Sequence, residues 1–260
     1  MKKTAALLLS LILLCTAAFA LAEDDLLAQI QSLGKLTIAT EGTWAPWTYH
    51  GDDGVLTGFD IEVGTLIAHG LGVEPEFLET DWDAILAGVD AGRFNMACNG
   101  VGYTEERAKK YSFSDPYIYS EAVLVVRSDN EDIHTLADLA GSTTANSPSS
   151  TYAEQAERAG ATVTYVNTLA ETIVLLRQGR VDATLNAKGS IDEYMAQFPD
   201  ADIKVVQVLA GDPVCIPIRQ GDDTQTLVAR VNEILDVARA DGTLGALSVK
   251  YFGVDLTKPQ

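Results

Sequence analysis

One arginine stands where it could grip a carboxylate. Arg107 ends the segment Asn99-Gly100-Val101-Gly102-Tyr103-Thr104-Glu105-Glu106-Arg107, and a guanidinium can offer a carboxylate two parallel N–H bonds. Gly100 and Gly102 lie in the same loop and let the backbone approach a bound molecule closely. Thr104 is placed to cap a short helix with Arg107 at its third position. The competing reading of Arg107 is a surface ion pair. A second candidate anion site is Ser147-Pro148-Ser149-Ser150-Thr151. There Ser150 and Thr151 bring hydroxyls and free N–H groups to a helix start, although capping alone would use one of them. Glu41, Trp44, Trp47 and Tyr49 follow a buried strand, where aromatics serve as core or as ligand wall. Trp82 follows the capping pair Thr80-Asp81 at a strand-to-helix corner, where ligands meet α/β sheets. His50, His69 and His134 are scattered, and none has metal-ligand spacing. The chain carries no P-loop, no G-x-G-x-x-G and no G-x-S-x-G. No pair of carboxylates stands out as an acid/base couple, so no catalytic residue, metal or cofactor is assigned.

The elements that position these residues alternate between strand and helix. Strands are expected at Leu36 to Thr40, Pro75 to Glu79, Phe94 to Cys98, Thr162 to Val166, Val181 to Leu185, Ile203 to Val208 and Val214 to Ile218. Helices are expected at Phe59 to Leu71, Trp82 to Ala91, Tyr152 to Arg158, Ala170 to Gln178, Ile191 to Gln197 and Thr226 to Ala240. Asp52-Asp53-Gly54 is a hairpin turn signal. The alternation predicts mainly parallel sheets covered by helices, with functional loops at the carboxyl ends of strands. The segment Gly92-Arg93-Phe94-Asn95-Met96-Ala97-Cys98-Asn99 echoes Gly179-Arg180-Val181-Asp182-Ala183-Thr184-Leu185-Asn186. Each copy follows a helix, and each strand ends in Asn. The echo predicts two similar α/β lobes, with Asn99 and Asn186 facing a cleft between them, a common place for small-ligand sites.

Charge narrows the function classes. Lys plus Arg is 18 against 37 Asp plus Glu, a net charge of −19. That balance excludes a general nucleic-acid binder, which needs a basic footprint, and a basic membrane-adhering face. Residues 1–22 read as a secretory signal peptide: Lys2-Lys3, then an apolar run, then small residues to Ala22. Cleavage there leaves 16 basic and 37 acidic residues, a charge of −21. Cys98 and Cys215 would then lie in an oxidising compartment, as one bridge or as two buried thiols.

The chain resembles the bacterial extracellular solute-binding proteins, family 3, of polar amino-acid ABC transporters. The resemblance spans Leu36 to Gly253. It rests on Thr57-Gly58-Phe59-Asp60-Ile61-Glu62, on Thr104 to Arg107 with Tyr111-Ser112-Phe113-Ser114-Asp115-Pro116-Tyr117, and on Leu136-Ala137-Asp138-Leu139-Ala140-Gly141. Gly179-Arg180-Val181-Asp182-Ala183, Arg239-Ala240-Asp241-Gly242-Thr243-Leu244 and Lys250-Tyr251-Phe252-Gly253 complete it. It implies a two-lobed periplasmic-binding-protein fold of type II, each lobe a mainly parallel sheet flanked by helices, joined by two crossover strands. Lobe 1 would take residues 23–120 and 212–260, and lobe 2 residues 121–211. It further implies a monomeric periplasmic protein that closes over an amino acid or similar small carboxylate by hinge motion and presents it to a membrane permease. Trp44 and Trp82 would flank the ligand side chain. Arg107 would bind the α-carboxylate, helped by groups near Gly102 and by Thr151. Gly100 would offer its carbonyl to the α-ammonium, Glu41 would meet the distal end, and Asn186 would face the cleft from lobe 2. The sequence departs from the family at Ala187, where an ammonium-binding Asp is usual, and at Gly102, where a hydroxyl residue is frequent. Glu41 is the first substitute for that Asp. A periplasmic dehydratase of cyclohexadienyl acids on the same scaffold is the alternative, with Glu41 as its acid/base group.

Overall fold

The computed structural model describes residues 25–259, so the signal peptide expected over 1–22 lies outside the described residues. The helix Leu26–Leu33 opens the described chain, capped by Asp25, whose carboxylate accepts from the Ala28 N–H at 3.0 Å. The first sheet follows. Lys35–Thr40 lies at its centre, parallel to Glu74–Glu79 on one side and to Met96–Ala97 on the other. Leu36 and Ile38 on the central strand are fully buried against Phe59, Val63 and Ile67 of the helix Phe59–Leu71. Each such side chain contributes about 1.5–3 kcal/mol relative to exposure. The helices Gln225–Ala240 and Thr243–Phe252 add Val231, Leu235 and Leu244 to the same core.

The second sheet has five strands in the order Thr162–Tyr165, Thr143–Asn146, Ala183–Ala187, Ala122–Arg127, Ile203–Val208. The first three run parallel, and Ala122–Arg127 runs against both its neighbours. That strand continues from Ile118–Ser120, which carries the chain out of the first sheet. The return strand Asp212–Val214 pairs antiparallel with it, Asp212 opposite Ser120. Two adjacent crossovers therefore join the two sheets, and the fold is the two-lobed α/β architecture expected.

The expected strand Val214 to Ile218 is two strands. Asp212–Val214 pairs with Ile118–Ser120, whereas Pro217–Arg219 pairs with Tyr111–Phe113. Between them the Cys215 N–H turns to the Val101 carbonyl (3.0 Å) and the Ile216 N–H to the Ser114 hydroxyl (2.9 Å). An apolar run looks continuous in sequence even where its backbone partners change. Cys98 and Cys215 are free and buried. Burial drives the Cys98 thiol well above its ordinary range and Cys215 up to about 12.

The internal echo is structural. Asn95 accepts from the N–H and hydroxyl of Thr37, and Asp182 accepts from the N–H and hydroxyl of Thr143. Each returns its own N–H to the carbonyl of the same threonine, at 3.0 and 2.9 Å. Gly92 and Gly179 take φ +69° and +68° at the matching helix exits. The two sheets thus use one device to lock a strand beside its neighbour, and both deliver the following strand end to the cleft.

Candidate functional site

A cavity of about 820 Å³, its mouth included, lies between the sheets and is lined by all nine residues singled out above: Glu41, Trp44, Trp82, Gly100, Gly102, Arg107, Ser150, Thr151 and Asn186. Ser120 and Ala122 from one crossover, with Asp212 and Val214 from the other, also line it. Both pairs are two residues apart, as the alternation of a strand requires for one face.

Arg107 sits at the third position of the short helix Glu105–Ala108, and the Thr104 hydroxyl accepts its N–H at 3.1 Å. The guanidinium is not on the surface. Residue 107 is 8 % exposed, with the guanidinium 5.5 Å above the Trp82 ring. Its Nη1 donates to the Gly102 carbonyl (2.8 Å) and its Nη2 to the Ser149 carbonyl (2.9 Å). Those carbonyls come from opposite sides of the cleft, so one side chain bridges it. Burial lowers the Arg107 pKa from its ordinary value. Ser149 reaches Arg107 from a tight turn: Ser147 accepts the Ser150 N–H (3.3 Å), Pro148 takes the second position, and Ser149 the third with φ +58°. A non-glycine residue there is strained, and the strain aims a carbonyl at the guanidinium.

Ser150 caps the helix Thr151–Arg158. Its hydroxyl accepts from the Ala153 N–H (3.1 Å) and donates to the Ser147 carbonyl (2.7 Å). The capping role therefore occupies the Ser150 hydroxyl, whereas Thr151, the first residue of the helix, also lines the cavity. A Cβ on residue 102 would lie 3.6 Å from Thr151 Cγ2, 3.8 Å from its Oγ1 and 3.9 Å from Arg107 Nη1. Gly102, Thr151 and Arg107 thus converge on one small volume, and a hydroxyl side chain at 102 would have room. Gly100 differs. It has φ +58°, and an added Cβ would meet Trp44 Cζ3 at 2.6 Å. Only glycine lets that indole lie on the loop.

The aromatics divide as wall and core. Trp44 lines the cavity, donating from Nε1 to Asn186 Oδ1 at 3.2 Å across the cleft. Trp47 is buried behind it, stacked at 5.3 Å. Trp82 begins the helix Trp82–Asp90, as expected, but Asp81 makes no side-chain capping bond.

Glu41 follows the central strand. Asn99 Nδ2 donates to its Oε2 (2.6 Å), and the Glu41 N–H returns to Asn99 Oδ1 (2.8 Å). Burial pushes the Glu41 carboxyl up to about 7, the Asn99 bond opposes the rise, and Asp81 adds to it. Beneath the loop, fully buried Asp60 accepts from the Gly100 N–H (2.5 Å) and the Tyr117 hydroxyl (2.7 Å). Burial raises Asp60 to about 7 against the pull of those two bonds. Ala187 does not line the cavity. It is fully buried in the apolar cluster that holds Phe59 and Val214. The carboxylates on the cavity are Glu41 and Asp212.

Sequence reasoning missed Asn146, Tyr152 and Asp212, all of which line the cavity. Asn146 had a usable signal, because it ends a strand just before the Ser147 turn, much as Asn99 follows its strand by two residues and Asn186 stands next to the last residue of its own.

A cleft between two α/β lobes, walled by tryptophan and bridged by a buried arginine, defines a protein that encloses a small carboxylate-bearing molecule. Residues 36–254 match the bacterial extracellular solute-binding proteins, family 3, and the chain belongs to that family. It is similar to the L-cystine-binding protein TcyA of Bacillus subtilis, 40 % identical over 91 % of this chain and 88 % of the relative. It is also similar to an ancestral arginine-binding protein bound to arginine (TM-score 0.80, 33 % identity, 85 % of this chain and 99 % of that one). The unliganded, open L-cystine receptor of Neisseria gonorrhoeae is more similar in sequence and less in shape. It shows 39 % identity and TM-score 0.60, over 89 % of this chain and 99 % of that one. The bonds across the cleft and the better fit to the arginine-bound structure agree on a closed arrangement.

Proposed function

We propose that this chain is the periplasmic binding component of an ABC importer for polar amino acids, with L-cystine as its ligand. Arg107 carries the reading: a buried guanidinium whose terminal nitrogens are bonded to carbonyls rather than to a carboxylate. A ligand α-carboxylate supplies the missing anion, with Gly102 and Thr151 beside it. Gly100 turns its carbonyl to the α-ammonium, Trp44 and Trp82 flank the side chain, and Asn186 and Ser150 close the second wall. Glu41 meets the distal end. L-cystine carries a second ammonium there, beside its second carboxylate; the ammonium suits a buried carboxyl, and the name of the B. subtilis relative supports the choice. Delivery to a membrane permease, secretion through residues 1–22, a monomeric state, and lobes at 23–120 with 212–260 and at 121–211 belong to the same proposal. Binding without catalysis is part of it, and prephenate or arogenate incubated with the protein is expected to be recovered unchanged.

The test is Arg107→Ala, read by calorimetric titration with L-cystine. Removing one partner of a buried charge pair costs about 2–5 kcal/mol, roughly thirtyfold to several thousandfold in Kd. Undiminished affinity in that variant would sink the assignment.

A further inference from the structure

Five buried side-chain polar atoms among the described residues lack a hydrogen-bond partner, and two of them, Trp82 Nε1 and Asn146 Oδ1, belong to residues on the cavity. A buried polar atom left unpaired is destabilising, so an orphan acceptor on a residue that lines a ligand cavity calls for a donor that a bound molecule could supply. Asn146 ends its strand, is 2 % exposed, and cannot swing freely. Its Nδ2 donates to the Leu185 carbonyl at 2.7 Å and to Thr184 Oγ1 at 3.4 Å. Those two bonds fix which end of the amide is the acceptor. Three residues on, the same turn presents the Ser149 carbonyl to Arg107. One short segment therefore carries an acceptor at one end and meets the anion receptor at the other. An amino acid has that pattern, a donor amino group beside an acceptor carboxylate.

We propose that Asn146 is a specificity residue whose Oδ1 accepts a hydrogen bond from the ligand's amino group, a role that rests on the amino-acid reading above. It explains how the site selects an amine although Ala187 is packed in apolar core. Selection then comes from a neutral acceptor that only an N–H donor satisfies. A site built to hydrogen-bond a substrate group discriminates strongly against the analogue lacking it.

The experiment pairs each amino acid with its des-amino counterpart. Kd is measured by calorimetry for L-cystine against 3,3′-dithiodipropionate and for L-arginine against 5-guanidinopentanoate, with wild type and Asn146→Val. The pair containing the tighter wild-type binder is read. Wild type is expected to prefer the amino acid. Asn146→Val is expected to reduce that preference at least tenfold while changing the des-amino affinity less than twofold. Should Asn146→Val fail to fold, Asn146→Ser, which keeps a polar group on the strand, is measured the same way. A folded variant that keeps the wild-type preference, or loses both ligands equally, overturns the role of Asn146 and leaves the amino-acid reading standing. A wild type that prefers neither amino acid over its counterpart overturns both.

Discussion

On the proposed function, a ligand cation meeting Glu41 makes binding proton-linked, and the size of the linkage follows from the surroundings of that carboxyl. Burial holds the free carboxyl near 7 against an ordinary 4.5. A ligand ammonium placed on it favours the charged form and draws the pKa back toward its ordinary range. The sign is then fixed. The free protein holds a proton that the complex does not, so affinity falls as pH falls through 7. With those two pKa values, binding releases close to one proton at about pH 5.5 and about a quarter of one at about pH 7.5. The apparent Kd for L-cystine should weaken about twentyfold over that interval. Titration calorimetry in two buffers of different ionisation enthalpy counts the protons directly. Glu41→Gln cannot titrate, so it should bind more weakly at pH 7.5 and lose most of the slope. Asp212, also raised by burial, is the other cavity carboxyl that can contribute to any slope that remains. A pH-independent Kd in wild type, or an unchanged slope in Glu41→Gln, would refute the placing of a cationic group at Glu41.

Gly100→Ala forces a Cβ to within 2.6 Å of Trp44 at a φ that disfavours any side chain, so the wall must shift. We expect at least a tenfold loss of L-cystine affinity, with a shifted tryptophan emission spectrum; unaltered emission and affinity would show that Trp44 is not held by this loop. Asp60 is raised from 3.8 to about 7 in the folded protein. Its stabilising contribution is present below pH 4 and is lost as pH rises toward 7 and beyond. Urea midpoints of unliganded Asp60→Asn should therefore depend less on pH between 5 and 8 than those of wild type. A slope as steep as that of wild type would place the titration elsewhere.

Much of this site was legible in the sequence because strand ends and helix starts announce themselves. Thr104 three residues before Arg107 fixed the orientation of the arginine, and the repeated Gly-Arg–strand–Asn segment located two matching strand ends. What stayed hidden depends on partners distant in sequence. Nothing local says that Ala187 joins the core cluster that holds Phe59, or that residues 214 and 217 pair with different strands. Asp212 belongs to the same class. It reaches the cavity because the return crossover pairs with Ile118–Ser120, a register between segments nearly a hundred residues apart. Ser150 shows the reverse limit. A hydroxyl at a helix start suits capping and binding equally, and only the observed bond to Ala153 shows which use occupies it.

The two walls of the cleft differ in kind, and the difference bears on how such a protein can both capture and release. The first sheet and its loops bring the carboxyl of Glu41, the guanidinium of Arg107 and both tryptophans. The second sheet and its helix starts bring Asn146, Ser150, Thr151 and Asn186, all uncharged. If the ligand is an amino acid, its strongest charge contacts lie on one wall, available before the cleft closes. The second wall then adds hydrogen bonds from uncharged side chains to the ligand's charged groups, each worth about 1.5–3 kcal/mol net. Closure is favourable through several such bonds together, yet none of them holds a desolvated ion pair that opening would have to break. Trp44 to Asn186 and Arg107 to Ser149 already span the cleft. The closed arrangement is therefore built from protein contacts that a ligand reinforces, and a partner that separates the walls meets one charge-assisted bond, from Arg107 to the Ser149 carbonyl, and otherwise neutral ones, with no ion pair to break.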